Sequence, residues 1–148
     1  MSDEDITVGV LSLHSSKETK AILNAADSLG YDTEWLREEN TTVSVTDGKM
    51  TLDPDVDVVA NRLLLSSDEY PVEGIGLALT LNRLAPMLNE PTAATTALHK
   101  FASAAALADA DIPIPDALLS LSNKRLNEER GRFGERGVYK TAIGTHGG

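Results

Sequence analysis

The fold of this chain follows from Ile6-Thr7-Val8-Gly9-Val10-Leu11-Ser12-Leu13, a short apolar run typical of a buried parallel strand. A helix is predicted directly after this strand. Ser15 and Glu18 have the spacing of a capping box, an apolar stripe with helical periodicity follows them, and Gly30 ends the helix. Strand and helix form a β-α unit, the building block of a parallel sheet.

Two more strands are predicted for this sheet, over residues 31–36 and 56–61. Between them, Asp47-Gly48 separates two short alternating segments, which is a strong signal for a type I′ hairpin. The residues expected to face each other across the hairpin are Val43, Val45, Met50 and Leu52. We interpret the hairpin as an excursion from the main sheet.

The third strand of the sheet is followed by Arg62 and then by a predicted helix. Residues 74–88 carry apolar side chains at helical spacing, and Asn89 and Pro91 stop the pattern. The β-α-β-α order predicts a parallel, right-handed, doubly wound sheet with flanking helices. Arg62 is a candidate site residue, because open α/β sheets bind ligands beyond the carboxyl ends of their strands.

A second structural unit is predicted after a polar, flexible link at residues 92–96. A helix is expected over residues 97–110, and Pro113 and Pro115 then break the chain. We therefore predict two domains. They are an α/β domain at residues 1–93 and the start of an α+β domain at residues 94–148.

Within the second domain, short strands are predicted at residues 117–121 and 137–140. A charged helix over residues 124–133 lies between them, with Asn123 as a plausible cap. The last strand has no returning partner in the sequence. The second domain therefore looks incomplete.

The composition is that of a globular chain without a membrane segment. Of the 148 residues, 41% are hydrophobic, and no run of about 18 apolar residues occurs. The N-terminus is acidic where a signal peptide would be basic. A soluble cytoplasmic protein is expected. The absence of cysteine excludes disulfides and thiolate metal sites.

The charge balance is strongly acidic, with 23 Asp and Glu against 13 Lys and Arg, and a net charge of −10. A chain with this charge repels nucleic-acid phosphates, and no basic patch with interleaved aromatic residues offsets it. Nucleic acid is therefore not an expected partner. The acidity is spread along the chain, and its composition resembles that of proteins from halophiles.

The last residues have the composition of half a nucleotide site. Lys140 supplies a positive charge for phosphate, and the glycines at 144, 147 and 148 would let backbone N–H groups approach phosphate oxygens without Cβ clashes. The order differs from the P-loop, in which the lysine follows the glycines and a helix follows the lysine. A different phosphate-binding loop is therefore predicted.

Other common sites are not indicated. The three histidines, at positions 14, 99 and 146, are too scattered to predict a zinc site, so no metal ligands are assigned. Gly74-Ile75-Gly76 begins like a dinucleotide fingerprint, but Leu79 replaces its third glycine. No serine lies in a G-x-S-x-G elbow, which disfavours a serine hydrolase.

Several motifs follow one another in a specific order. They are Asn89-Glu90-Pro91, His99-Lys100-Phe101, Ile112-Pro113-Ile114-Pro115, Val138-Tyr139-Lys140 and Gly144-Thr145-His146-Gly147. Together they resemble the ATP-grasp superfamily and, within it, the RimK-type glutamate ligases. In that family a lysine opens a helix, a G-I-x-x-P turn follows, and a strand lysine precedes a G-T-x-G loop. The segments 8–12 and 58–62 are similar to the Rossmann-like pre-ATP-grasp domain. The resemblance covers about the first half of a family member.

The resemblance implies the roles of individual residues. Lys140 and Lys100 would contact the ATP phosphates, while Arg62 and the loop beginning at Ser12 would face the substrate. The loop over the nucleotide would contain Gly144, Thr145, Gly147 and Gly148. The family uses ATP and Mg²⁺ to activate a carboxylate as an acyl phosphate, which an amine then displaces. The substrates would be small-molecule or peptide carboxylates and amines.

The chain departs from the family in two respects. Position 99 is histidine where the family often has aspartate, and the carboxylates expected to hold Mg²⁺ would lie beyond Gly148. We therefore assign no catalytic residue and expect these residues alone to be an inactive amino-terminal part of a ligase. The alternatives are a stand-alone, non-catalytic binding or regulatory module and a non-functional remnant. Family members often form homo-oligomers, so the resemblance also allows a homo-oligomer.

Overall fold

The computed structural model of the chain describes residues 6–64 and 71–143. The chain divides into two compact units, Met1–Ala94 and Thr95–Gly148, called here the first and the second unit. None of the helices within the described ranges combines the length and apolar character needed to cross a bilayer.

The elements lie in a regular order along the chain. The first unit contains β1 (Thr7–Leu11), α1 (Lys17–Ser28), β2 (Asp32–Leu36), β3 (Thr42–Thr46), β4 (Lys49–Asp53), β5 (Val58–Asn61), α2 (Pro71–Leu84) and β6 (Met87–Leu88). The helix α3 (Pro91–Leu98) crosses the division between the units. The second unit contains α4 (Lys100–Asp109), α5 (Asn123–Glu129) and a 3₁₀ helix (Arg130–Phe133).

The main sheet is parallel throughout, with the strand order β2-β1-β5-β6. Val10 in β1 pairs with Trp35 on one side and with Ala60 on the other. The chain passes from β1 to β2 on one side and later returns to β5 on the opposite side. The strand order therefore reverses at β1 and β5, which makes their carboxyl ends a topological switch point. The predicted α/β fold with a parallel sheet is confirmed.

Helix α1 begins one residue later than the sequence pattern indicates. Ser16, and not Ser15, is the N-cap, and its hydroxyl accepts a hydrogen bond from the backbone N–H of Thr19 at 3.1 Å. Its carboxyl end agrees with the prediction. Gly30 adopts a φ of 87°, and the N–H groups of Gly30 and Tyr31 bond back to the last turn, as in a Schellman motif.

The predicted hairpin is confirmed in turn type and register. Asp47 and Gly48 have φ values of 52° and 75°, the two positive angles that a type I′ turn requires. The cross-strand pairs are Val43 with Leu52, Ser44 with Thr51, and Val45 with Met50. The hydroxyls of Ser44 and Thr51 hydrogen-bond at 2.8 Å.

The predicted helix over residues 74–88 is too long at its carboxyl end. Helix α2 stops at Leu84, because Pro86 disfavours helical backbone at the residue before it. The chain then forms the short strand β6, which pairs with β5. The carbonyl of Pro86 accepts a hydrogen bond from the backbone N–H of Val59 at 2.9 Å.

The core of the first unit lies around the central strands. Its fully buried side chains include Val10, Leu11, Leu36, Val59 and Leu81. Gly9 in β1 allows a close approach. A Cβ atom at Gly9 would lie 3.1 Å from Leu36 Cδ1 and from both γ-carbons of Val56. A Cβ atom here would require Leu36 and Val56 to shift by a few tenths of an ångström, so packing, and not an unusual backbone angle, favours glycine at position 9.

Residues 92–96, predicted to be a flexible link, are helical and belong to α3. Pro91 occupies the first helical position, where its missing N–H costs nothing. The Glu90 carboxylate accepts hydrogen bonds from the N–H groups of Thr92 and Ala93 at 3.1 and 3.0 Å. The Thr92 hydroxyl and these N–H groups hold the pKa of the Glu90 carboxyl below its usual value.

The second unit differs from the prediction at both short strands. Residues 117–121 and 137–140 form no strand, and Val138 and Tyr139 are 82% and 74% exposed. A strand needs a hydrogen-bonding neighbour, and neither segment finds one within residues 95–143. The predicted helix over residues 97–110 starts only at Lys100. The charged helix is α5 followed by the 3₁₀ helix, and its cap is Ser122, not Asn123.

Candidate functional site

The carboxyl ends of the four parallel strands bring several polar residues to one edge of the sheet. Ser12 follows β1, Arg37 follows β2, Arg62 follows β5 and Asn89 follows β6. We call these four residues and Asn61 the strand-end cluster. The backbone N–H of Arg62 donates to the carbonyl of Leu11 at 2.9 Å, which joins the ends of β1 and β5. The strand-end cluster therefore lies at the switch point of the sheet.

Ser12, predicted to be on the substrate side, is buried in a hydrogen-bond network. Its hydroxyl donates to the carbonyl of His14 at 2.7 Å and accepts from the Thr19 hydroxyl at 3.2 Å. Its carbonyl accepts a hydrogen bond from the Trp35 indole at 2.8 Å. These hydrogen bonds connect the loop after β1 to α1 and β2. Ser12 therefore has a structural role within the strand-end cluster.

Arg62, the second predicted substrate residue, is half-buried. Its Nε atom is buried, and no group within residues 6–64 and 71–143 accepts a hydrogen bond from it. Its charge reaches the start of α1. The pKa of the Glu18 carboxyl is lowered, chiefly by its own backbone N–H and by the Ser16 hydroxyl, with a smaller contribution from Arg62. Among the residues that the structure describes, Arg62 Nε is therefore a buried donor without an acceptor, at the switch point.

Arg37 was not predicted from the sequence. Its guanidinium lies 4.8 Å from the centre of the Trp35 ring, and its Nε is 3.9 Å from the Glu39 carboxylate. This buried Nε has no hydrogen-bond acceptor among the described residues. The rule that selected Arg62, a polar residue just after a strand, also applies to Arg37. The cluster thus presents two arginines with incompletely satisfied donors.

Asn61 and Asn89 were also missed, and they join the ends of β5 and β6. The side-chain amide of Asn61 donates to the carbonyl of Asn89 at 3.0 Å, and the amide of Asn89 donates to the carbonyl of Asn61 at 3.1 Å. The Asn61 side chain also accepts from the N–H of Leu63 at 3.1 Å. Asn89 has a φ of 60°, which asparagine tolerates better than most residues.

Replacing Asn61 with leucine should destabilise the first unit by about 2 kcal/mol, because the N–H of Leu63 and the carbonyl of Asn89 lose their partner. Urea unfolding measures this change. The matched control is Asn89→Gly, which keeps the positive φ and removes a more exposed amide. A smaller loss, below about 1 kcal/mol, is expected for the control. Equal losses for both variants would contradict the central role given to Asn61.

In the second unit, Lys100 lies against the chain that follows Lys140. The side-chain Nζ of Lys100 donates to the carbonyl of Thr141 at 3.0 Å, and its backbone N–H donates to the carbonyl of Ala142 at 2.8 Å. Lys140 itself is exposed. Lys100 thus contacts the chain that directly follows Lys140, and 41 positions separate Lys100 from Thr141 in the sequence.

The predicted loop residues Gly144, Thr145, Gly147 and Gly148 lie outside the described residues. Among the residues that are described, no group of three or more His, Asp or Glu side chains could hold a metal ion.

His99 caps the helix that carries Lys100. Its Nδ1 atom accepts a hydrogen bond from the backbone N–H of Ala102 at 3.1 Å, and its backbone is extended, with φ −90° and ψ 107°. A carboxylate oxygen at this position could accept the same bond. The His99 imidazole is therefore the side-chain cap of α4.

Comparison with solved structures identifies a shared fold. A RimK-domain ATP-grasp protein from Sphaerobacter thermophilus superposes with a TM-score of 0.69 at 17% sequence identity. The alignment covers 94% of this chain and 50% of that one, so the chain spans about half the length of the solved protein. No protein-family model and no curated protein matches the sequence. The resemblance to RimK-type ATP-grasp proteins is confirmed at the level of the fold.

Proposed function

We propose that these residues are the amino-terminal part of an ATP-dependent carboxylate–amine ligase of the glutamate-adding type, acting through an acyl phosphate. Residues 1–93 would be its pre-ATP-grasp domain, and residues 94–148 would begin its ATP-grasp domain. Taken alone, this part would bind ligands without joining them. A cytoplasmic protein adapted to high salt is part of the same proposal.

The observation that carries the proposal is the contact of Lys100 with Thr141 and Ala142. It is supported by the shared fold, which covers 94% of the chain. Phosphoryl transfer depends chiefly on positioning and on neutralising charge. Two lysines held on adjacent segments would supply positive charge to the oxygens of one polyphosphate. ATP, when bound, supplies the phosphoryl group that activates the carboxylate.

On the substrate side, the strand-end cluster has the chemistry to hold a carboxylate. Arg62 has a buried Nε donor with no acceptor among the described residues, and arginine presents its donors in a fork that matches a carboxylate. Arg37 offers a second donor at the end of β2, which β1 separates from β5 in the sheet. Ser12 and the asparagine pair would keep the backbone around these arginines in place. The cluster would therefore orient the substrate while the lysines hold the nucleotide.

The test is a calorimetric titration of the 148-residue chain in high KCl, first with Mg·ATP and then with glutamate or a glutamate-terminated peptide. Arg62→Gln should weaken carboxylate binding by about tenfold, since a hydrogen bond to a charged group is lost, and should leave Mg·ATP affinity unchanged. The control is Arg83→Gln on the exposed surface of α2. If Arg62→Gln and Arg83→Gln bind glutamate alike, the substrate role of Arg62 is wrong.

The alternative is a stand-alone, non-catalytic binding or regulatory module. It is favoured by one observation, that the strand-end cluster is built wholly from residues of the first unit. This alternative expects carboxylate binding without a need for Mg·ATP. A chain that binds glutamate equally well with and without nucleotide, and that does not bind Mg·ATP, would support the module over the ligase.

A further inference from the structure

We propose that His99 is a positioning residue for Lys100, and that its neutral imidazole makes the nucleotide site sensitive to pH. The inference rests on the proposed role of Lys100 in binding phosphate. The imidazole would hold the first turn of α4 in place, and that turn holds both Lys100 and the chain after Lys140. Protonation of the imidazole would then loosen the site.

The geometry gives the imidazole a specific task. The first N–H groups of a helix have no partner within the helix. In α4, the N–H of Lys100 donates to the carbonyl of Ala142, and the N–H of Ala102 donates to Nδ1 of His99. One contact is made by the chain after Lys140 and the other by His99. Losing the second would remove one of these two contacts from the turn that carries Lys100, and would so loosen the position from which Lys100 reaches Thr141.

The cap depends on protonation because Nδ1 must offer a lone pair. A protonated imidazole carries hydrogens on both nitrogens and accepts no hydrogen bond. It also places a positive charge at the helix N-terminus, where cations are unfavourable. Histidine is the residue type that changes charge between about pH 5 and 8, so the proposed effect is tested by comparing pH values at the two ends of that range.

The charged groups around the cap can be named from the segments that meet there. Lys100 lies on α4 itself, and Lys140 lies on the segment that contacts its first turn. Helix α3, which ends just before His99, carries no charged residue, and Glu90 lies beyond its far end. Among the described residues, the acidic residue on α4 is Asp109, at the opposite end of the helix from His99.

A second cap in the same chain provides an internal control. In α1, the Ser16 hydroxyl accepts from the N–H of Thr19, which has the same position in its helix as Ala102 has in α4. A serine hydroxyl does not titrate between about pH 5 and 8. The two caps should therefore respond differently to pH in one sample.

The first measurement is amide hydrogen exchange by NMR on the full 148-residue chain. Each rate is expressed as a protection factor, which corrects for the pH dependence of exchange in an unstructured peptide. The Ala102 amide should lose about fivefold in protection between about pH 7.5 and 5.5, the typical size of a capping contribution, while the Thr19 amide stays constant. His99→Asp should keep Ala102 protected over this range, and His99→Ala should leave it unprotected throughout. Constant protection of Ala102 in the natural sequence overturns the proposal.

The second measurement is the affinity for Mg·ATP of the natural sequence and of His99→Asp at both pH values. At each pH, the affinity of one protein is divided by that of the other. Protonation of the nucleotide affects both proteins equally and cancels in this ratio. On going to the lower pH, the affinity of the natural sequence for Mg·ATP should fall by about fivefold relative to that of His99→Asp. An unchanged ratio, or tighter binding at low pH through contact of the imidazolium with phosphate, overturns the positioning role. Absence of Mg·ATP binding in both proteins at both pH values refutes the proposed function, while the exchange data still test the cap.

Discussion

Replacing both Lys100 and Lys140 with alanine should weaken the binding of Mg·ATP by at least about 100-fold. Each lysine would make a hydrogen bond to a charged phosphate oxygen, and such a bond contributes about 1.5–3 kcal/mol, or roughly tenfold or more in affinity. Each single replacement should therefore weaken binding by about tenfold. Isothermal titration calorimetry in high KCl measures the affinities, and an unfolding curve for each variant shows that the fold persists.

The matched control is Lys124→Ala, because Lys124 is an exposed lysine of α5 in the same unit, 3.9 Å from the Glu128 carboxylate. It should bind Mg·ATP like the natural sequence. Lys100→Gln separates charge from structure, since glutamine can still donate a hydrogen bond but carries no charge. If Lys100→Gln binds as tightly as the natural sequence while Lys100→Ala does not, Lys100 acts through its contact with Thr141 and not through its charge.

Leu81→Ala should lower the free energy of unfolding of the first unit by about 2–5 kcal/mol. Leu81 is fully buried on α2, which packs on β4 and β5. Removing its side chain loses the transfer free energy of three carbons and leaves a cavity that the surrounding core cannot fill. Urea unfolding at constant KCl concentration measures the change without altering ionic strength.

Leu79→Ala is the control for this substitution. Leu79 lies on the same helix and is the same residue type, but it is 41% exposed. Its replacement should cost less than about 1 kcal/mol, because little apolar area returns to water and alanine is the better helix former. A comparable loss at Leu79 and Leu81 would show that α2 does not pack on the sheet as described.

Several features of the fold could be predicted because their causes are local. Asp47-Gly48 specifies a type I′ turn by the positive φ angles it tolerates, and Gly30 ends α1 for the same reason. The buried strand at residues 7–11 was visible as an apolar run. The errors at element ends also have local causes. Pro86 ends α2 at Leu84, whereas Asn89 and Pro91 were expected to end it. Glu90 and Pro91 start a helix where a flexible link was expected.

The candidate site was only partly accessible to sequence reasoning. Arg62 and Lys100 could be selected from their positions after a strand and at the start of a helix. Arg37 followed from the same strand-end rule but was not selected. The bonds between Asn61 and Asn89 join residues 28 positions apart and depend on the pairing of β6, a strand of two residues with no recognisable pattern.

The sequence alone determined which segments turn, which are capped and which are apolar enough to be buried, since these properties depend on residues within a few positions of one another. The tertiary structure decided which segments pair. It left residues 117–121 and 137–140 without strand partners, and it joined Lys100 to Thr141 and Ala142. Hydrogen bonds between distant backbone groups form only when packing brings those groups together, and no local signal specifies their partner.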